Sequence, residues 1–260
     1  MVQKRPDNNL RLRIFAGPNG SGKSTVIRYV RNYVVNGRAI DFGYYINADD
    51  IAVKLIETTF SFADYDVATN LKDFVDCALA SGLIGDRFSA SEFRRSFSFS
   101  SGNIKLRIQS HNEVLAQIVA DFLRKKYLTE RRKFSFETVF SHPSKLGVIR
   151  EAVNAGYKVY LYFVSTESPR INVFRVKARK AKGGHDVPED KIVDRYYRSL
   201  GLLKEAIEMS YQAFFFDNSN DGEDFKLFAH FKKISGKKKW DKLNKRDVPK
   251  WFLKYYSEKT

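Results

Sequence analysis

The distribution of apolar and polar positions along the chain predicts short, buried strands separated by helices. Apolar runs occupy residues 10–16, 44–46, 133–136, 157–164 and 213–216. Short, nearly continuous apolar runs are typical of strands that are covered on both faces. Because helical stretches separate these runs, the pattern predicts a three-layer α/β fold with a mainly parallel, five-stranded sheet.

Helical periodicity predicts the segments between the strands. The predicted helices cover residues 24–35, 50–56, 108–126, 169–182 and 188–209. The first is expected to end at Asn36-Gly37 and the fourth at Gly183-Gly184, because glycine commonly ends a helix. The last two helices together predict a helical lid over about residues 169–200.

One segment interrupts this alternation of strands and helices. Residues 60–105 are rich in Ser and Phe, with a helical piece near residues 67–80. We interpret the segment as a helical insertion between the second and third strands. Insertions that follow the carboxyl end of a strand usually lie over an active site and shape its substrate choice.

Composition indicates the class of protein and its expected compartment. The chain of 260 residues is 43% hydrophobic and 29% charged, as in ordinary globular proteins. Cys77 is its one cysteine, which excludes an intramolecular disulfide and is typical of a reducing cytosol. Residues 1–10 are polar and no run of 18 apolar residues occurs. We therefore expect a cytoplasmic protein without a membrane segment.

Positive charge is concentrated towards residue 260. The net charge is +16, and residues 231–260 hold 11 Lys or Arg against three acids, a net of +8. The same stretch contains Trp240, Trp251, Tyr255 and Tyr256. It predicts a basic aromatic tail after a first domain of residues 1–230. Such a tail either binds anionic partners, nucleic acid among them, or is simply a solvated surface.

Residues 17–24 carry the most specific motif. Their sequence GPNGSGKS matches G-x-x-x-x-G-K-[ST] at every fixed position, between a predicted strand and a predicted helix. In this motif the glycines and the helix N-terminus turn main-chain amides towards phosphate groups. The lysine reaches the β- and γ-phosphates, and the last hydroxyl binds Mg²⁺. The predicted ATP-binding residues are Gly17, Pro18, Asn19, Gly20, Ser21, Gly22, Lys23, Ser24 and Thr25.

Carboxylates follow two of the predicted strands. Asp49 and Asp50 come after the strand at residues 44–46, where a carboxylate faces the crevice in which ligands bind. Asp49 is our candidate for the base that accepts a hydroxyl proton, although either aspartate could instead cap the next helix. Glu137 and Thr138 follow the third strand and are candidate substrate contacts. Glu137 could also hold a metal-bound water, or form an ordinary salt bridge.

Arginines are dense in the predicted lid. Arg175 and Arg179 share a helix face, and Arg195 and Arg198 lie on the second helix. Arginines that close over a transferring phosphoryl group stabilise its charge, but a basic helix can also be only a solvated face. Arg179 and Arg195 are the preferred candidates because both lie near the Gly183-Gly184 hinge.

These motifs, in this order, resemble the zeta toxin family of P-loop kinases, especially its compact chromosomal members. The resemblance extends from residue 10 to about residue 231. The shared stretches are FAGPNGSGKST at residues 15–25, INADDIA at 46–52, FSFETVFSHP at 134–143, GYKVYLYFVS at 156–165, RVKARKAKGGHDVP at 175–188, RYYRSL at 195–200 and FFFDNS at 214–219. The loop at residues 17–24 is the most specific of these, and the GGHxVP and RYxRSL pair is the most distinctive of the family.

The resemblance implies a doubly wound core with the P-loop strand at its centre. It implies ATP- and Mg²⁺-dependent phosphorylation of a hydroxyl, in characterised relatives the 3′-hydroxyl of UDP-N-acetylglucosamine, and an antitoxin as a partner. It assigns Lys23 to the phosphates, Ser24 to the metal, Asp49 as the base and Glu137 to the substrate. It makes Arg179 and Arg195 the phosphate arginines.

Three features depart from the family pattern and leave other functions open, one of them the atypically long insertion at residues 60–105. Val139 stands where relatives often have a threonine, so one substrate contact is missing, and the tail lies outside the resemblance. We therefore also consider a P-loop kinase that acts on or binds nucleic acid. A nucleotide-binding, toxin-like module without turnover is the third possibility.

Overall fold

The structure is a computed structural model that describes residues 10–183 and 186–259. Its chain divides into two compact units. The first unit contains residues 1–42 and 135–260, and the second contains residues 43–134. The helix end predicted at Gly183-Gly184 lies partly outside the described residues, since Gly184 is not among them.

Strands and helices are numbered in chain order. The strands are β1 (Arg11–Ala16), β2 (Val34–Val35), β3 (Arg38–Ala39), β4 (Tyr44–Ile46), β5 (Phe60–Ser61), β6 (Phe97–Ser100), β7 (Asn103–Leu106), β8 (Phe134–Thr138), β9 (Lys158–Ser165), β10 (Gln212–Asp217), β11 (Lys226–Ile234) and β12 (Lys237–Trp240). The α-helices are α1 (Lys23–Asn32), α2 (Ala48–Glu57), α3 (Leu71–Leu79), α4 (Ala90–Arg95), α5 (Asn112–Thr129), α6 (Ser144–Asn154), α7 (Pro169–Ala181), α8 (Glu189–Gly201), α9 (Leu203–Met209) and α10 (Lys250–Tyr255).

The first unit is built around a sheet in which β1 is central. Its strands follow the order β12-β11-β10-β9-β1-β8. The strands β1, β9 and β10 pair in parallel, whereas β11 and β12 add an antiparallel edge. The strand β9 is buried from Leu161 to Ser165, as expected for a strand with both faces covered. The predicted α/β class with a mainly parallel sheet is confirmed.

All five predicted strands are present, with ends that differ by one or two residues. Two more strands, β11 and β12, extend the sheet beyond the predicted five. Their sequences are rich in lysine, which masks the strand signal. Lysines with exposed side chains are a common protection of edge strands against unwanted pairing.

Two helix predictions need correction. The helix after the glycine-rich loop ends at Asn32 rather than residue 35, and the chain continues into a hairpin of β2 and β3. Its turn residues Asn36 and Gly37 both have positive φ, the conformation that a two-residue hairpin turn requires. The helix predicted over residues 188–209 is interrupted at Leu202 and forms α8 and α9.

The second unit has its own aromatic core. Helix α5 packs on α2 and α3, and β5, β7 and β6 form a small antiparallel sheet. Phe62 and Phe74 lie fully buried at its centre, with their ring centroids 5.6 Å apart. The Ser/Phe-rich stretch of the predicted insertion therefore supplies a core as well as a surface.

The predicted tail is integrated into the first unit. Strand β11 runs across residue 230, where we expected a domain boundary. Trp251 and Tyr256 are buried, and the Trp251 ring lies 5.9 Å from that of Phe163 on β9. Trp251 and Tyr256 therefore belong to the core of this unit rather than to a solvated tail surface. No helix within residues 10–183 and 186–259 is both long and apolar enough to cross a membrane.

Candidate functional site

The loop between β1 and α1 adopts backbone conformations that only glycine tolerates well. Gly20 and Gly22 have φ of +74° and +95°. A Cβ atom at Gly17 would lie 2.1 Å from the Val164 carbonyl oxygen, and one at Gly22 would lie 2.3 Å from Asn218 Nδ2. The loop therefore packs main chain against the ends of β9 and β10, with no space for side chains at these positions.

Several polar groups of this loop lack protein partners. Among the described residues, the main-chain amides of Gly20 and Gly22 donate to no protein acceptor. The Ser21 hydroxyl oxygen is buried and has no hydrogen-bond partner in the described chain. Buried or constrained polar groups of this kind usually meet a ligand or water. Their position at the N-terminus of α1 is suited to an anion.

Lys23 lies inside the loop that precedes it. Its ammonium Nζ donates to the Pro18 carbonyl oxygen at 3.1 Å and lies 3.8 Å from Glu137 Oε1. The side chain is 9% exposed and that of Glu137 is 14% exposed. Screening by solvent is therefore weak, and the pair holds an ammonium and a carboxylate together beside the glycine-rich loop.

The remaining loop residues divide into buried and exposed groups. Pro18 is buried, and Asn19 is half-buried. Ser24 and Thr25, at the start of α1, expose their side chains to solvent. A ligand beside the loop could therefore reach both hydroxyls.

A buried amide network that the sequence did not reveal connects the loop to α7. Asn172, fully buried in the first turn of that helix, donates from Nδ2 to the Asn19 carbonyl oxygen at 2.5 Å. Its Oδ1 accepts from the Thr166 hydroxyl. Tyr196 on α8 donates to the Thr166 carbonyl oxygen at 2.6 Å, and burial is the main cause that raises the pKa of this phenol. The network therefore joins the glycine-rich loop, the end of β9 and both helices of the predicted lid.

One sequence signal for Asn172 exists. It occupies the same helix face as Val176, four residues later, which is buried. A polar residue at an apolar position of this kind indicates a buried hydrogen-bonding role.

The predicted lid arginines have different surroundings. Arg195 lies near the loop, with Nη1 3.5 Å from Asn19 Oδ1. Arg179 is exposed on α7. Arg175 instead contacts the Asp221 carboxylate and the Asn218 carbonyl oxygen, so it anchors the segment after β10. Arg198 forms an ion pair with Asp194 one turn earlier.

Asp49 and Asp50 lie in the second unit, in the first turn of α2. The cap of this helix is Asn47, whose Oδ1 accepts from the Asp49 amide at 3.0 Å. The capping role considered for the aspartates therefore belongs to Asn47, and the Asp49 side chain is exposed. Thr138, at the end of β8, accepts from the Phe140 amide at 3.1 Å and stabilises the turn that follows.

These features match the requirements of a phosphate-binding loop. The left-handed glycines give the loop a backbone conformation that can turn main-chain amides towards an anion, and Lys23 supplies a buried positive charge. No cluster of three or more His, Cys, Asp or Glu that could hold a metal ion occurs in the described part of the chain. A magnesium ion at this type of loop needs few protein ligands, because phosphate oxygens and water complete its shell.

Comparison with solved structures gives a likeness of fold. The AvrRxo1-ORF1:AvrRxo1-ORF2 complex with sulphate ions matches at TM-score 0.51 and 14% identity, over 89% of this chain and 60% of that chain. The AvrRxo1-ORF1:-ORF2 complex with ATP matches at 0.47 and 13%, over 89% and 60%. The PezAT chromosomal toxin-antitoxin system of the human pathogen Streptococcus pneumoniae matches at 0.45 and 12%, over 83% and 71%.

The likeness establishes the α/β architecture alone. The chain spans about 60% of the length of the AvrRxo1 chain that it matches. No protein-family model matches the chain, and no curated protein matches it in sequence. Membership of the zeta toxin family therefore stays a prediction from the motifs.

Proposed function

We propose that this protein is an ATP-dependent kinase that phosphorylates a hydroxyl group of a small molecule. The observation that carries the proposal is the glycine-rich loop after the central strand β1. Its left-handed glycines, its unpartnered amides and the buried Lys23 together match a triphosphate-binding loop.

The proposed roles follow from the chemistry of each side chain. The loop of residues 17–25 binds the phosphates through main-chain amides, those of Gly20 and Gly22 among them, with Lys23 on the β- and γ-phosphates. Ser24, with help from Glu137, would hold Mg²⁺, which would supply neutralisation of phosphate charge. Arg195 and Arg179 stabilise negative charge on the transferring group. The contact between Arg195 and Asn19 supports the role of this arginine more directly.

The proposed reaction transfers one phosphoryl group. The acceptor oxygen forms a bond to the γ-phosphorus as the bond from that phosphorus to the β,γ-bridging oxygen breaks, and ADP leaves with the electron pair. Asp49 takes the hydroxyl proton. This assignment comes from the sequence motif, and it is supported by the finding that Asn47 rather than Asp49 caps α2.

For the acceptor we propose a nucleotide sugar of the UDP-N-acetylglucosamine type, with Glu137 and Thr138 as contacts. This finer assignment depends on the family resemblance, as does a partner protein of the antitoxin kind. The crystal structure that matches at TM-score 0.51 is itself a complex of two proteins.

The test combines nucleotide binding with transfer from γ-labelled ATP to a panel of UDP-sugars, nucleosides and RNA. Lys23→Met, which keeps the length of the side chain, should abolish heat of binding with Mg-ATP, while Arg28→Gln on the exposed face of α1 should bind normally. Asp49→Asn should bind Mg-ATP like the wild type, yet transfer label about 10² to 10⁴-fold more slowly. Asp50→Asn is its matched control.

Three results would each contradict a part of the proposal. If the wild type shows no heat of binding with saturating Mg-ATP, the proposed nucleotide site is wrong. Equal transfer by Asp49→Asn would remove the base assignment alone. Transfer of label to RNA but to no small molecule would contradict the proposed small-molecule acceptor and would indicate a nucleic-acid acceptor.

A further inference from the structure

A second cleft, in the unit of residues 43–134, combines an apolar floor with arginines. Its volume is about 280 Å³. The lining residues are Leu71, Val75, Arg94, Phe97, Ser98, Phe99 and Arg107. The cleft lies within one unit and shares no residue with the glycine-rich loop.

The floor of the cleft is held by the aromatic core of this unit. Phe97 and Phe99 follow each other on one face of β6, and both rings contact Phe74, with centroids 5.5 and 6.3 Å away. Leu71 and Val75 are one turn apart on α3, so they present apolar surface from the same helix face. An apolar group entering the cleft would therefore meet a surface that is already formed.

The two arginines are positioned by well-defined backbone. Arg94 lies in the last turn of α4, whose start is fixed by a capping box between Ser89 and Glu92. Arg107 follows β7, and its amide donates to the Ser96 carbonyl oxygen at 2.8 Å. Both side chains are exposed, and neither forms an ion pair within the described residues.

The acidic side chains on the neighbouring helices already have other hydrogen-bond or ion-pair partners. On α4, Glu92 accepts from the Ser89 amide and hydroxyl, which lowers the pKa of this carboxyl. On α3, Asp76 pairs with Lys72 at 2.7 Å and Asp73 with Lys126 at 3.7 Å. The cleft therefore keeps two positive charges without an internal counter-charge, although like charges at one small site repel each other.

We infer that this cleft binds a small organic anion, with an apolar or aromatic body on Phe97 and Phe99 and a carboxylate or phosphate group between Arg94 and Arg107. Guanidinium groups form paired hydrogen bonds with both carboxylates and phosphates. The arginines therefore select an anionic head group of either chemistry. A ligand of this kind supplies the missing negative charge and packs on the apolar floor of the cleft.

The test uses the full chain and the fluorescent aromatic anion anilinonaphthalene sulfonate as the probe. We expect the Arg94→Gln, Arg107→Gln double variant to bind the probe at this site at least tenfold more weakly, because it loses charge-assisted hydrogen bonds. Arg87→Gln, an exposed arginine outside the cleft, is the matched control. The neutral N-phenyl naphthylamine should bind the wild type and the double variant equally.

A second variant tests the role of positive charge by adding a negative charge to the cleft instead of removing the arginines. Leu71 is 47% exposed, so Leu71→Glu should fold normally and place a carboxylate beside the arginines. It should weaken probe binding at least as much as the double variant. Octanoate and phenyl phosphate are then added as competitors, to distinguish carboxylate from phosphate ligands.

Displacement of the probe by either competitor supports the inference and identifies the preferred head group. Equal probe affinity in the wild type and the double variant would overturn it. Displacement by neither small anion, with displacement by an acidic peptide, would also overturn it and would indicate a protein partner at this cleft.

Discussion

Asn172 determines how the glycine-rich loop is attached to the rest of the first unit. Its Nδ2 donates to the partly buried Asn19 carbonyl oxygen, and its Oδ1 accepts from the buried Thr166 hydroxyl. A Cβ at Gly20 would lie 2.7 Å from the Asn172 carbonyl oxygen, so loop and helix also touch through their main chains. We interpret Asn172 as a positioning residue that fixes the loop for phosphate binding.

Replacing this amide tests that interpretation. Asn172→Asp keeps the shape but removes the Nδ2 donor and places a carboxylate near a carbonyl oxygen, so it should cost about 1–3 kcal/mol of stability. Mg-ATP affinity, measured by calorimetry at a temperature where the variant is folded, should fall about tenfold. Asn154→Asp, at the exposed end of α6, should change neither quantity. Unchanged affinity in folded Asn172→Asp would show that the loop does not depend on this bond.

The sequence reveals residues of the site unevenly. The glycines and Lys23 belong to one continuous motif, so their roles could be predicted from spacing alone. Asn172 lies 153 residues from its partner Asn19, and nothing local in the chain indicates that pairing. The roles of the lid arginines are equally hard to assign from the sequence. Only the folded structure shows that Arg175 anchors the segment after β10, whereas Arg195 lies near Asn19.

Among the elements, the short 3-10 helix Phe62–Tyr65 links several parts of the second unit. The Tyr65 carbonyl oxygen accepts from the Tyr127 hydroxyl at 2.7 Å, and the Tyr65 ring stacks 5.4 Å from that of Phe60. Burial, with the nearby Asp50 and Asp64 carboxylates, raises the pKa of the Tyr65 phenol to about 12. The folded chain thus holds this proton more tightly than the unfolded chain does.

This shift predicts a loss of stability in alkaline solution. Below pH 10 the phenol is protonated in both states and its contribution is constant. Between pH 10 and about pH 12 only the unfolded chain releases the proton, so the free energy of unfolding should fall as the pH rises. The slope from this group should stay below about 1.4 kcal/mol per pH unit, because the phenol is partly exposed to solvent.

Denaturant titrations of the wild type and Tyr65→Phe at several pH values in this window give the measurement. Tyr65→Phe should show a shallower decline than the wild type, whereas Tyr33→Phe, whose side chain is 48% exposed, should follow the wild type. Parallel curves for the wild type and Tyr65→Phe would contradict the assignment.

Element types were easier to predict than element ends. The strands β1, β9 and β10 have mostly apolar sequences, and their predicted ends lie within two residues of the observed ones. The hairpin of β2 and β3 was missed, because Asn36-Gly37 can end a helix or form a turn. Only the positive φ of both residues distinguishes the two outcomes.

At the scale of the whole molecule, the segment predicted as a tail completes the first unit. The indole Nε1 of Trp251 donates to Asp217 at the end of β10 at 2.8 Å, and its ring packs edge-on against Phe228 of β11. Net positive charge and aromatic content alone could not distinguish a nucleic-acid-binding tail from this arrangement. The difference depends on which side chains point inward, and that alternation is weak in a lysine-rich stretch.

Trp251→Ala should therefore destabilise the protein strongly. Loss of a buried tryptophan typically costs about 3–5 kcal/mol, and the Asp217 carboxylate would also lose one of its donors. Urea unfolding measures the loss, with Leu253→Ala as the control, since Leu253 is on the same helix and 40% exposed. Similar stabilities for the two variants would mean that α10 contributes little to the core.

The central place of β1 has a consequence for the order of events during synthesis. The strand and its glycine-rich loop emerge from the ribosome early, but the neighbours that shape them, β8 and β9, are made only after the whole second unit. A nascent chain that ends before residue 134 contains the complete glycine-rich motif. It still lacks the main chain of Val164, against which Gly17 packs in the folded protein. The proposed binding of a triphosphate should therefore become possible only after the second unit has been synthesised and has had time to fold.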